Sequence, residues 1–275
     1  MSLQPDLVRL PAAELFQRVR GEMVSQSSHF SYYSGVGPLT DEDMRDYLQD
    51  PLAAIPPSVL NLLPKVNLLL VPYLAKPEGK PNGGATVLVV FDRPPDDKFL
   101  RSASWIDGSE FVAAFAIEEL EVGDYHYEFY HQLARAAGEK TSPEMLNDYY
   151  GILRDELTGR THGEVDDESW HAKQGLLQRH SGFKRDSKLF RDYAKQSFID
   201  TLTLFLHGIC CDIDVETGPR QLPSRHLRRR LKLLQTMFPP PKGYAVFPED
   251  MEQIPTDREP PTPPIGGAER SKSAL

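Results

Sequence analysis

Residues 187–209 constrain the fold more than any other stretch of the chain. Phe190, Tyr193, Ala194, Phe198, Leu202, Phe205 and Leu206 recur at helical spacing and cover a face far wider than the stripe of a surface helix. A helix apolar over so much of its circumference must be enclosed on several sides, so this one is expected to be the central core helix. Gly208 interrupts it near its end, and the adjacent thiols Cys210 and Cys211 follow. Neighbouring cysteines do not easily close a normal disulfide, and without a second Cys-x-x-Cys pair they are a poor zinc signature. They read as small buried residues on an apolar helix.

The chain upstream reads as strands and short helices. Pro11 opens an amphipathic helix carrying Leu15, Phe16, Val19 and Met23, and residues 25–37 read as a loop of aromatics beside glycines. Thr40, followed by Asp41, Glu42 and Asp43, caps a second helix that should stop before Pro51, and Pro64 closes a third over residues 57–63. Residues 66–74 and 85–91 are rich in branched side chains and are expected to pair antiparallel. Pro72 removes a ladder donor, which puts that end of its strand at a sheet edge or bulge. Residues 102–106 and 111–117 flank a turn at Asp107-Gly108.

From Tyr125 onward the periodicity is helical, over residues 125–137, from Thr141 to Leu157, over 166–180, through the central helix, and over 224–238. The expected fold class is α+β: a small, mainly antiparallel sheet at about residues 66–117, packed by a C-terminal set of helices. Residues 1–249 form one domain on this reading. Residues 250–275 are proline-rich and short of apolar groups, the composition of a disordered tail.

A net charge of −9 argues against nucleic acid as a partner, because that work needs a basic surface. The start of the sequence lacks the basic head and apolar run of a signal peptide, and no stretch is long enough to span a membrane, so the expected location is cytoplasmic. One basic feature stands out. In residues 224–238, Leu227, Leu231, Leu234 and Phe238 share a face, while Arg225, Arg228, Arg229, Arg230 and Lys232 mostly fill the rest. Neutralising the protein's own acids is the plainer role for this helix, and holding a protein partner the alternative.

The sharpest chemical pattern is a pair of Glu-x-x-His units, Glu128-Phe-Tyr-His131 and Glu168-Ser-Trp-His171. Residues three apart on a helix share a face, so each unit can offer a carboxylate and an imidazole to one ion. Two such units are half of a carboxylate-bridged di-iron centre. A zincin-like hydrolase is the other metal reading, with Glu128 and His131 joined by His162 or Glu164, and Glu168 or Asp167 as base. His126 and His131 lie about 140° apart around a helix and cannot readily grip the same ion. Against both readings stands a plain solvated stripe of Glu128, His131, Gln132, Arg135 and Glu139. The sequence therefore favours a non-catalytic binding or interaction protein. The alternative is a metal enzyme, holding zinc or iron through Glu128, His131, His162, Glu164, Glu168 and His171.

Overall fold

The computed structural model describes residues 9–77, 87–179, 186–211 and 222–251. The expected tail over residues 250–275 lies outside them from residue 252 onward, its first two residues ending a short helix instead, and residues 85 and 86 of the second strand run lie outside them too. The fold is α+β, with two sheets and a helical layer.

Strand β1 (Arg9–Pro11) leads into helix α1 (Ala12–Val19), then β2 (Val24–Ser25) and β3 (Phe30–Ser34). A helical path follows as α2 (Asp41–Met44), a π-helical stretch (Arg45–Gln49) and α3 (Asp50–Ala53), with α4 (Pro57–Leu60) behind it. Strands β4 (Val66–Val71), β5 (Tyr73–Ala75), β6 (Leu88–Val90), β7 (Phe99–Leu100), β8 (Ser102–Asp107) and β9 (Glu110–Ala116) come next. The helices α5 (Val122–Gly138), α6 (Asn147–Thr158), α7 (Asp167–Leu177), α8 (Lys188–Cys211), α9 (Ser224–Met237) and α10 (Pro248–Met251) complete the described chain.

The larger sheet has the order β2-β3-β4-β9-β8, the smaller β1-β6-β5-β7. Most pairings are antiparallel, but β4 runs parallel to both β3 and β9. The expected pairing of the 66–74 and 85–91 runs is divided at Pro72. Its first part, β4, sits in the middle of the large sheet, and only β5 pairs antiparallel with β6. Residues 30–34, expected as loop, are a strand because Phe30 and Ser31 are buried beside β4. The β8–β9 hairpin turns at Gly108, whose φ of +59° a glycine supplies without strain.

Both faces of the large sheet are covered, which explains the apolar runs over residues 68–71 of β4 and 111–116 of β9. Val66, Leu68, Leu70, Phe111, Ala113 and Phe115 face the helical layer. Leu69, Val71, Val112, Ala114 and Ala116 face a second core built with α1 and the small sheet. Helix α5 lies against β8 and β9, and α8 packs on α5 and α7 as the central helix of its layer, buried nearly all round. No helix among the described residues is long and apolar enough to cross a membrane.

Arg230 ties the helical layer together at a fully buried position. Its guanidinium donates to Glu156 of α6 at 2.5 Å, to Glu164 of the loop before α7 at 2.7 Å and to Ser197 of α8 at 2.8 Å. Lys173 of α7 sits 3.2 Å from Glu164, and the Tyr193 hydroxyl of α8 donates to the same carboxylate. Two cations and two anions thus neutralise one another out of water. Two of the other three arginines of α9 also meet the protein's own acids, Arg229 at Asp155 and Arg228 at Glu249, with Arg228 over the Phe247 ring, while Arg225 donates to His226 Nε2.

Breaking one partner of a buried charge cluster strands the rest, at a cost of about 3–5 kcal/mol. Arg230→Met should therefore lose stability on that scale in denaturant unfolding. Arg229→Gln, whose partner is solvent-exposed, should lose roughly 1 kcal/mol or less. Burial alone would raise the Glu164 carboxyl, but Arg230, Lys173 and Tyr193 hold it at about 2, below its ordinary 4.5. Its stabilising contribution is present above pH 4.5 and is lost as pH falls toward 2. Wild-type stability should drop across that window, and Glu164→Gln should flatten the drop.

Candidate metal centre

The candidate site begins with a backbone defect. Thr40 and Asp43 form a reciprocal cap, Thr40 Oγ1 accepting the Asp43 N–H at 3.1 Å and the Asp43 carboxylate accepting the Thr40 N–H at 3.0 Å. The helix they start does not end before Pro51 as expected; it runs through it to Ala53. A proline in a helix interior supplies no N–H and crowds the carbonyl four residues back, here Tyr47. The chain accommodates this by widening into a π-helix, in which the Asp50 N–H reaches the Arg45 carbonyl. The next rung of that ladder would run from residue 51 to the Asp46 carbonyl. Pro51 cannot make it.

Helix α5 supplies the missing donors. Tyr125 hydroxyl donates to the Tyr47 carbonyl at 2.7 Å, and Tyr130 hydroxyl to the Pro51 carbonyl at 2.9 Å. His126 Nε2 lies 2.6 Å from the Asp46 carbonyl. A carbonyl only accepts, so Nε2 carries a proton, and whenever the ring is neutral its lone pair is on Nδ1. Nδ1 points at the end of the described part of α8, 3.1 Å from Cys211 Sγ and 3.8 Å from Cys210 Sγ. His126 is buried, whereas both thiols are partly exposed. Among the described residues this is the one group of three or more His, Cys, Asp or Glu side chains whose ligand atoms gather closely, all within 4.8 Å of one another.

The electrostatics follow from the same contacts. Cys211 donates toward Cys210, which lowers the Cys210 thiol to about 5 against the effect of burial, with His126 and Tyr130 adding to it. Cys211 is pushed up for the converse reason. Burial presses the His126 pKa down, but the Cys210 sulfur and the Asp46 carbonyl outweigh it and the net shift is upward. The pair of thiols thus gives up one proton readily and holds the second.

The six residues singled out in the sequence lie elsewhere. Glu164 is enclosed by Arg230, Lys173 and Tyr193. Glu128 accepts from Ser102 at 2.5 Å, and Glu168 accepts from Gln196 at 2.8 Å. His131 stacks on Tyr127, with its pKa lowered by burial although Glu128 and Glu168 pull the other way. His162 accepts the Gly163 N–H and packs beside Trp170, and His171 Nδ1 donates to the Asp167 carbonyl. No three of them gather as the first group does. The polar stripe of α5 is a wet face only at Arg135 and Glu139, because Gln132 is buried and bonded to Ser102 and Ser104 of β8. In the sequence Cys210 and Cys211 read as a poor zinc signature, and His126 as unable to share an ion with His131. The one available signal was Pro51 inside a helical pattern, which marks an irregular backbone.

If α5 satisfies the carbonyls around Pro51, removing a hydroxyl while keeping its ring should cost the desolvation of an unpaired acceptor, about 1–3 kcal/mol. Tyr125→Phe is expected to fall in that range in urea unfolding, with an unchanged denaturant slope. Tyr73→Phe, whose hydroxyl meets exposed Glu119, should change little.

No protein-family model, curated protein or solved structure matches this chain.

Proposed function

We propose that this protein is a binding protein for a zinc-class transition-metal ion, held by His126 Nδ1 and the sulfurs of Cys210 and Cys211. The observation that carries the reading is the Nε2 bond to the Asp46 carbonyl, which leaves the imidazole lone pair directed at two thiols. One nitrogen and two sulfurs are a donor set for zinc or cuprous ions rather than for magnesium or calcium. In a tetrahedral zinc site with Zn–S of about 2.3 Å and Zn–N of about 2.0 Å, nitrogen and sulfur stand roughly 3.6 Å apart. The separations of 3.1 and 3.8 Å need adjustments of about half an ångström or less to meet that. Metal binding also favours loss of both thiol protons.

A second reading, metal-assisted hydrolysis, is favoured by the same donor count. Three protein ligands leave a fourth position, and partly exposed thiols put that position near solvent. The donors in this reading are His126, Cys210 and Cys211, in place of the Glu-x-x-His units.

The test is zinc titration of reduced, metal-free protein against a chromophoric chelator, with stoichiometry by elemental analysis. One zinc per chain is expected, and His126→Ala, Cys210→Ser and Cys211→Ser should each weaken binding at least tenfold. Glu128→Gln and His131→Ala should leave it unchanged. Absence of stoichiometric zinc, or loss of zinc in Glu128→Gln and His131→Ala but in neither cysteine variant, would overturn the assignment.

A further inference from the structure

We propose that Pro51 is a positioning residue for the His126–Cys210–Cys211 cluster. The inference rests on the metal reading for its affinity consequence only. In the π-helical stretch the Asp50 N–H bonds the Arg45 carbonyl, so a residue with an N–H at position 51 would continue the ladder to the Asp46 carbonyl. That carbonyl is the partner of His126 Nε2. By lacking the N–H, Pro51 reserves the carbonyl for the imidazole. The reserved bond does two things: it puts the ring proton on Nε2, and it orients the ring so that Nδ1 meets both sulfurs. Without it the neutral imidazole is free to carry its proton on Nδ1, which removes the lone pair a metal needs.

Tyr125 and Tyr130, on either side of His126 and one turn beyond it, bond carbonyls of the same segment, so α5 is clamped against the irregular turn at several points. The Tyr130 bond uses the Pro51 carbonyl, which any residue at position 51 retains. Replacing Pro51 by alanine therefore restores one N–H without deleting the Tyr130 hydrogen bond. Alanine is also the stronger helix former, so the substitution is not expected to lower the melting temperature.

The experiment uses the full-length protein with nitrogen-15 in its histidines, wild type and Pro51→Ala, with Pro57→Ala as control. Pro57 opens α4, where a missing N–H is ordinary. In metal-free wild type, His126 should appear as the Nε2–H tautomer. In Pro51→Ala the Nδ1–H form should become populated, and zinc affinity should fall about 10- to 100-fold, the usual effect of losing an outer-shell partner. Pro57→Ala should match wild type in both. A wild-type His126 protonated on Nδ1 overturns the proposal without any need of the variant. So does a folded Pro51→Ala protein with wild-type tautomer and wild-type affinity. If the tautomer shifts as described but wild type takes up no zinc, the positioning role stands and the metal reading fails.

Discussion

A buried carbonyl without a donor is costly, and Pro51 creates that problem in the middle of a helix packed against α5. Much of the local architecture answers it. The helix widens by a residue, its Asp46 and Tyr47 carbonyls turn toward α5, and that helix presents Tyr125, His126 and Tyr130 in register to bond the segment. Two of these donors are phenols, and one of them, Tyr130, also meets the Cys210 thiol. The third is an imidazole with a second nitrogen, and the bond that satisfies the backbone leaves that nitrogen facing two sulfurs.

Among the described residues, the fully buried polar centre at Arg230 and the partly exposed one at His126 differ in character. Around Arg230, cations and anions are balanced, Glu156, Glu164 and Ser197 all bond the guanidinium, and the cluster ties together α6, α7, α8 and α9. Such closure suits a structural role, because every charge is neutralised within the cluster. The His126 cluster is a set of donors: one imidazole nitrogen and two sulfurs converge within 4.8 Å of one another. Both centres depend on α8, whose inward face carries Tyr193 and Ser197 to the first and whose final described turn carries Cys210 and Cys211 to the second.

How much of this is legible in the sequence follows from what each signal measures. The core position of α8 shows in the breadth of its apolar face, and the β8–β9 hairpin in Asp107-Gly108, since both are local properties. The parallel pairing of β4 is not local, because a strand buried on both faces reads the same whichever way its neighbours run. Glu164 attracts attention as a carboxylate among histidines, and nothing nearby in sequence announces that Arg230 will enclose it. Cys210 and Cys211 look inert for the same reason, as the imidazole that meets them lies on a helix 85 residues before Cys211. Pro51 was legible as a disturbance, but its consequence was misjudged: the helix does not stop there but passes through it, and the unmade bond is completed from α5.

The central claim is that one imidazole nitrogen and two thiolate sulfurs converge to hold a single ion. Zinc-edge X-ray absorption on protein loaded with one equivalent of zinc reads that directly. The account predicts a first shell with two sulfur scatterers at about 2.3 Å and at least one nitrogen at about 2.0–2.1 Å, reduced to one sulfur in Cys210→Ser. A first shell of nitrogen and oxygen alone would contradict it.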